Sequence, residues 1–183
     1  MVIVSHVHAD HVAGLVDLVG RMGIGQVWDA GAPHDSPAYQ ELMGALSASG
    51  VPVVTPRVGE SYALGELRLT VEGPLRRYAS PNDQSLVVLV EGPGRSMLLA
   101  GDIEVIAQGE LGHLRADVLK VPHQGADTSD PEWLVGLGAE VAVISVGPNE
   151  FGHPSPSVLD ILEGAGVRVV RTDRQGDVVV PLS

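Results

Sequence analysis

Within six consecutive positions, His6-Val7-His8-Ala9-Asp10-His11, the sequence places three of its seven histidines and one aspartate. If the segment is extended, His6 and His8 project to the same side, because side chains along a strand alternate. Asp10 then falls where it would cap a helix beginning at His11. Two imidazoles on one side, then a carboxylate and a third imidazole at a sharp turn, can serve two neighbouring cations. His6 and His8 would hold one, Asp10 and His11 the other. Imidazole and carboxylate suit zinc and tolerate manganese or iron. Surface histidines beside a capping aspartate are the plainer alternative, but that account suits one histidine better than three at this spacing. The chain has no cysteine, so any metal must be held by His, Asp, Glu or Asn.

Such a motif needs a rigid frame. Residues 2–5 are a β-branched apolar run, expected to be a buried strand. From His11 onward, Val12, Leu15, Val16, Val19 and Met22 keep helical spacing until Gly23 and Gly25 stop it. Further strands are expected at 26–29, at 51–54, on either side of Gly65, and in a hairpin turning at Gly92 to Gly94. The second half adds strands at 117–121, 140–146, 167–171 and 177–181. Helices are expected at 36–49, where Ser36 is a good N-cap, and at 103–111, 131–137 and 156–164. Strands alternating with helices indicate an α/β layered architecture. Five polar segments adjoin the buried runs: 6–11, 80–85, 101–102, 122–125 and 151–156. Ligands bind where loops beyond strand ends converge, so these five are expected to build one composite site.

Length and composition bound the rest. The 183 residues suit one domain, 1–183, and 23 glycines with 13 prolines suit short elements joined by tight turns. Aromatics make up 3%, so the core must rely on Val, Leu, Ile and Ala. The net charge is −12, with Lys120 the single lysine beside ten arginines. A protein that grips nucleic acid unaided carries a basic face, and this composition provides none. Arg76 and Arg77 form the densest cationic spot, read as solvated surface or as a phosphate contact. No apolar run approaches the roughly 18 residues of a membrane span, so autonomous membrane insertion is not expected. No signal peptide is visible.

The pattern HxHxDH resembles the signature of the metallo-β-lactamase superfamily. Later blocks, "SPNDQSLVVLV", "MLLAGDIE", "ADVLKVPHQG", "VAVISVGPNEFGHPSP" and "VVRTDRQGDVVV", resemble one branch of it in the same order. That branch is the C-terminal metallo-β-lactamase-like domain of the DNA-internalisation competence proteins of the ComEC family. The resemblance runs from residue 3 almost to the end. It implies an αββα sandwich, two sheets between helices, with one or two divalent metal ions (zinc or manganese) at one edge. It also implies that Asp102 is the metal-bridging aspartate and His123 the last metal-ligating histidine. By residue type alone, Asp102 could equally cap a helix at 103–111. His123 could close a strand, in a turn fixed by Pro122 and Gly125.

The departures are informative. Many superfamily members have another histidine where this chain has Asn82, Asp83 and Ser85. Asp83 either substitutes weakly as a metal ligand or is ordinary turn chemistry. Gln124 and Ala126 stand where ComEC-like sequences often have histidine and serine, and His8 where they often have aspartate. His153 is read either as a rim residue that contacts substrate or transfers a proton, or as a surface residue ahead of a helix. His34 and His113 match no motif and are read as surface. Family members carry several strands ahead of HxHxDH, so the chain is expected to be truncated there, with its first strand near a sheet edge and an apolar face exposed.

The expected activity is metal-dependent phosphodiester hydrolysis, with Asp10, Asp102 and His153 as catalytic residues. By resemblance the substrate is DNA, during competence-linked uptake, and the domain is attached to a bacterial membrane-embedded protein. Two alternatives stay open. One is an ester, thioester or lactone hydrolase of the same fold; the other is a non-catalytic remnant serving as an assembly module.

Overall fold

The computed structural model describes residues 1–32 and 34–183. Among them, β1 (Val2–Ile3), β2 (Val27–Trp28) and β3 (Val53–Val54) form a parallel sheet in that order. The larger sheet contains β4 (Ser61–Leu64), β5 (Leu67–Gly73), β6 (Val87–Glu91), β7 (Ser96–Leu99), β8 (Val118–Lys120), β9 (Val141–Ile144) and β10 (Arg168–Arg171). Its order is β10-β9-β8-β7-β6-β5-β4, with antiparallel pairing from β4 to β7 and parallel pairing from β7 to β10. The helices are α1 (Ala9–Val16), α2 (Pro37–Ala48), α3 (Val105–Leu111), α4 (Pro131–Gly136), α5 (Pro156–Gly164) and the short α6 (Thr172–Gln175).

Strand alternation sorts the apolar residues into layers. Val87 and Val88 are both fully buried, but on opposite faces of the large sheet. Val87 packs with Leu98, Leu119 and Ile144 under Leu134 of α4 and Leu162 of α5. Val88 joins Leu69, Val71 and Trp28 in the space between the sheets. On the far side of the small sheet, Val4 and Val27 meet Val12 of α1 and Leu42 and Leu46 of α2. The result is four layers: α1 and α2, the small sheet, the large sheet, and α3 to α5. This is the αββα sandwich expected from the sequence. Strands covered on both faces read as continuous apolar runs, as "SLVVLV" does.

Three element boundaries differ from expectation. The opening run pairs over two residues instead of four, while β1 lies at the sheet edge as expected. The first helix starts at Ala9 with His8 as N-cap and ends at Val16, so Asp10 sits inside its first turn and is not the cap. The helical spacing of Val19 and Met22 instead serves a turn through Gly20, whose φ is +81°. The expected strand at 177–181 is irregular. Val178 and Val180 pack on Val118, Val141 and Val143, and Leu182 O accepts from Gly94 N at 3.0 Å and Arg95 N at 3.2 Å. The tail crosses the face of the sheet, and alternation alone does not distinguish covering a face from pairing with an edge.

Candidate metal centre

The parallel strands β7, β8 and β9 end on the same side of the large sheet, and their following loops carry Asp102, His123 and His153. β6 runs the other way, so Ser85, two residues before it, lies at that end too. Backbone contacts tie the loops together: Leu86 N donates to Ser5 O at 2.8 Å, His123 N to Gly101 O at 3.3 Å, and Ser155 N to Gly125 O at 2.8 Å. Two glycines make this approach possible. Gly101 has φ +55°, and a Cβ there would lie 2.5 Å from Ser85 Cβ; Gly125 has φ +81°, and its Cβ would lie 2.7 Å from Pro154 Cβ. Neither conformation nor space suits another residue. Between them, His123 and Gln124 adopt φ of 48° and 54°, a left-handed conformation uncommon for side-chain-bearing residues and typical of strain held at functional sites.

Donor atoms converge where these loops meet. His6 Nε2 lies 3.0 Å from His8 Nδ1. His11 Nε2 lies 3.1 Å from Asp102 Oδ2 and 3.5 Å from Asp10 Oδ2. The same Asp102 oxygen is 3.9 Å from His6 Nε2, so one carboxylate oxygen faces both histidine groups. Donor atoms of His6, His11 and Asp102 lie within 4.8 Å of one another. Hydroxyls hold the other ring nitrogens: Ser5 Oγ is 3.0 Å from His11 Nδ1, and Ser85 Oγ is 3.3 Å from His6 Nδ1. Ser85 Oγ also accepts from Asp102 N at 3.0 Å. Such outer contacts orient ligating rings.

The electrostatics suit a divalent cation. Burial, followed by the charges of His11, His8 and His123, holds His6 down to about 3, so the ring is neutral and free to ligate. Burial pushes Asp102 up, but the His11 hydrogen bond and the charges of Lys120, His11 and His6 outweigh it and keep the carboxyl well below the usual range. Asp102 is 2% exposed, and its Oδ1 has no hydrogen-bond partner; neither has the buried His123 Nδ1. A buried carboxylate oxygen without a hydrogen-bond donor is costly, and the Lys120 ammonium at 3.7 Å offsets that through charge alone. The donor set therefore fits a divalent metal.

Other residues named from the sequence fall in different places. His123 reaches the cluster's rim, its Nδ1 3.3 Å from Glu104 Oε1, and its ring meets that of His153 edge-to-face at 5.5 Å. Asp83 is not brought to the donor cluster. Its Oδ1 accepts from Glu104 N at 2.8 Å and Ala107 N at 3.3 Å, so it caps α3. Asp83 thus does the capping considered for Asp102, and its Oδ1 is committed to backbone amides. Arg76 is spent on Glu110, at 2.8 Å, and stacks over Tyr78, while Arg77 lines a small hollow with His34. His34 is exposed but its ring lies 6.5 Å from that of His8.

Several residues at the site were given no role in it from the sequence: Ser5, Ser85, Glu104, Lys120 and Gln124. Gln124 Nε2 donates to Asp10 Oδ2 at 3.3 Å. Lys120 Nζ donates to Gly101 O at 3.2 Å and is 3.7 Å from Asp102 Oδ1. With Asp10, His11 and Gln124 it lines a cavity of about 560 Å³ whose floor includes Leu86 and Leu99. Being the single lysine was the one hint for it. Glu104 is held by Asn82 Nδ2 at 3.2 Å and faces His123. Replacing Glu104 by glutamine is expected to weaken metal affinity about 10- to 100-fold through the loosened His123 ring. Titration against a competing chelator checks this; affinity equal to wild type would remove Glu104 from the support of the centre.

Residues 2–146 match the family described as the metallo-beta-lactamase superfamily, and the chain belongs to that superfamily. Divalent-metal centres and metal-dependent hydrolases typify it. In particular, the chain is similar to ComE operon protein 3 of Bacillus subtilis (strain 168), 30% identical over 183 residues that span 96% of this chain and 24% of that protein. It is also similar to competence protein ComA of Neisseria gonorrhoeae, 31% identical over 108 residues, 55% of this chain and 16% of that one. The chain spans less than a quarter of either relative's length. Both relatives agree with the branch read from the ordered sequence blocks. Among solved structures, CmlA, a diiron β-hydroxylase from Streptomyces venezuelae, superposes with a TM-score of 0.60 at 16% identity, over 93% of this chain and 43% of that one; this likeness concerns the fold alone. No helix among the described residues is long and apolar enough to cross a membrane.

Proposed function

We propose that this chain hydrolyses phosphodiester bonds in DNA with one or two divalent cations, zinc or manganese, as a domain of a larger membrane-embedded uptake protein. The observation that carries the reading is Asp102 Oδ2, placed 3.1 Å from His11 Nε2 and 3.9 Å from His6 Nε2. His6 and His8 would hold one ion, Asp10, His11 and His123 the other, and Asp102 would touch both. Bound cations would supply Lewis acidity at the phosphate and lower the pKa of water to about 7.

The protein's own groups divide the remaining work. Asp10 is fixed by Gln124 and faces His11. Lys120 puts a positive charge on the cavity wall beside Asp102. Burial and then the charge of His123 lower the pKa of His153, whose ring beside His123 would serve as a proton acceptor. Ser5 and Ser85 contact the Nδ1 atoms of His11 and His6, which leaves the Nε2 atoms facing Asp102. DNA as the substrate is supported by the competence proteins among the relatives.

Purified protein should hydrolyse bis(p-nitrophenyl) phosphate and an oligonucleotide, lose both activities to a chelator, and regain them with Mn²⁺ or Zn²⁺. Hydrolysis of ester, thioester or lactone substrates without phosphodiester cleavage would replace this reading with another hydrolase activity. Failure on every substrate by the metal-loaded protein would favour an assembly module.

A further inference from the structure

Phe151 is the chain's single phenylalanine, and it is 81% exposed. Scattered exposed apolar side chains are ordinary; the mounting of this one is not. Asn149 holds its loop at four points: Oδ1 accepts from Phe151 N at 3.2 Å and His153 N at 3.0 Å, and Nδ2 donates to Gly147 O at 3.0 Å and His153 O at 2.8 Å. The Ser155–Gly125 backbone bond joins the loop to the turn that carries His123. The Phe151 ring stacks on His153 with centroids 5.8 Å apart and planes 19° apart. His153 in turn meets His123 edge-to-face at 5.5 Å. A short series of rings therefore runs from solvent to a candidate metal ligand.

We propose that Phe151, backed by His153, is a stacking platform for an unpaired nucleobase, so that the substrate of this centre is single-stranded nucleic acid. The inference rests on the phosphodiesterase reading and names its substrate class. Charge supports it. With a net charge of −12 and Arg76 committed to Glu110, the chain is poorly equipped to hold a polyanion by its phosphates. Every base has a π face, and stacking on an aromatic ring needs no basic surface. Bases inside a duplex are stacked on each other and do not offer that face, whereas unpaired bases do. The platform thus explains how an acidic domain can engage a strand, and selects one strand over two.

The test is binding of a short single-stranded oligonucleotide containing 2-aminopurine, followed by fluorescence quenching over a range of salt concentrations. Wild type should quench the probe, and F151A should bind about tenfold more weakly, with F151W restoring both affinity and quenching. Log affinity should fall with log salt with a slope of about one or less, because few phosphates are neutralised. An abasic strand of equal length should bind wild type as weakly as the native strand binds F151A. Thermal unfolding of F151A should match wild type, since an exposed substitution changes stability by about 0.5 kcal/mol or less. Equal affinity of F151A and wild type, or an abasic strand bound as tightly as a native one, overturns the platform. Wild-type hydrolysis of bis(p-nitrophenyl) phosphate separates the two readings. Diester hydrolysis with unchanged F151A binding removes the platform alone, whereas quenching without any diester hydrolysis removes the phosphodiesterase alone.

Discussion

Asp102→Asn is expected to empty the centre of most of its metal and to lower phosphodiester turnover by at least about 10²-fold. The lower bound follows from comparison: loosening an outer contact of a metal ligand already costs about 10- to 100-fold, and this residue is the proposed shared ligand itself. Its Oδ2 faces both histidine groups, and its buried Oδ1 has no hydrogen-bond donor to replace a cation. The amide preserves volume and the backbone bond to Ser85 but removes the charge. Alanine would do more damage, because Lys120 and His11 would face a small void where a carboxylate stood. Metal analysis by emission spectrometry, paired with a melting curve, separates the two effects. A folded Asp102→Asn protein with wild-type metal content would show that the bridge is elsewhere.

The clustering of the first histidines was legible because they lie within six residues of one another. His6 and His8 meet across a bend at Val7, outside any ladder, with His6 Nε2 3.0 Å from His8 Nδ1. The capping assignments were less legible because a cap depends on one residue of boundary and on what packs nearby. The helix begins at Ala9, so the cap position falls to His8 and the Asp10 carboxylate is left to face His11. At α3 the capping considered as the alternative for Asp102 is done by Asp83, which is adjacent only in space. A turn-forming aspartate and a ligating one look alike in sequence, and the amides of Glu104 and Ala107 decide between them.

The layered fold was read from apolar runs, and the layers followed. Where a run could satisfy two demands, the reading failed: the tail at 177–181 covers the sheet face through Val178 and Val180 without joining an edge. The supporting residues were hidden for another reason. Lys120, Glu104 and Ser85 act across neighbouring strand ends, between β8 and β7 or between the loops before β6 and after β7. No spacing in the chain encodes a contact made only when three loops close on one another.

Lys120→Met should lower turnover about 10²-fold, the cost of losing one fixed donor or charge aimed at a transition state, while metal affinity stays the same or rises. The opposite signs follow from the geometry. Lys120 Nζ is 3.7 Å from Asp102 Oδ1, close enough for its positive charge to repel any cation that Asp102 holds. Burial pushes the ammonium pKa down, and the neighbouring Asp102 carboxylate opposes that shift. Removing it relieves the repulsion and strips the cavity wall of its one lysine charge near the reacting phosphate. Methionine keeps the unbranched stem, which preserves packing at the end of β8 but leaves Gly101 O without its Nζ donor. Arginine keeps the charge on a broader, planar group and should recover only part of the rate. Chelator titration and steady-state kinetics on the same preparations read both quantities. A variant that loses metal and turnover together would reduce Lys120 to a structural support of the Gly101 turn, and one with unchanged turnover would place the phosphate out of its reach.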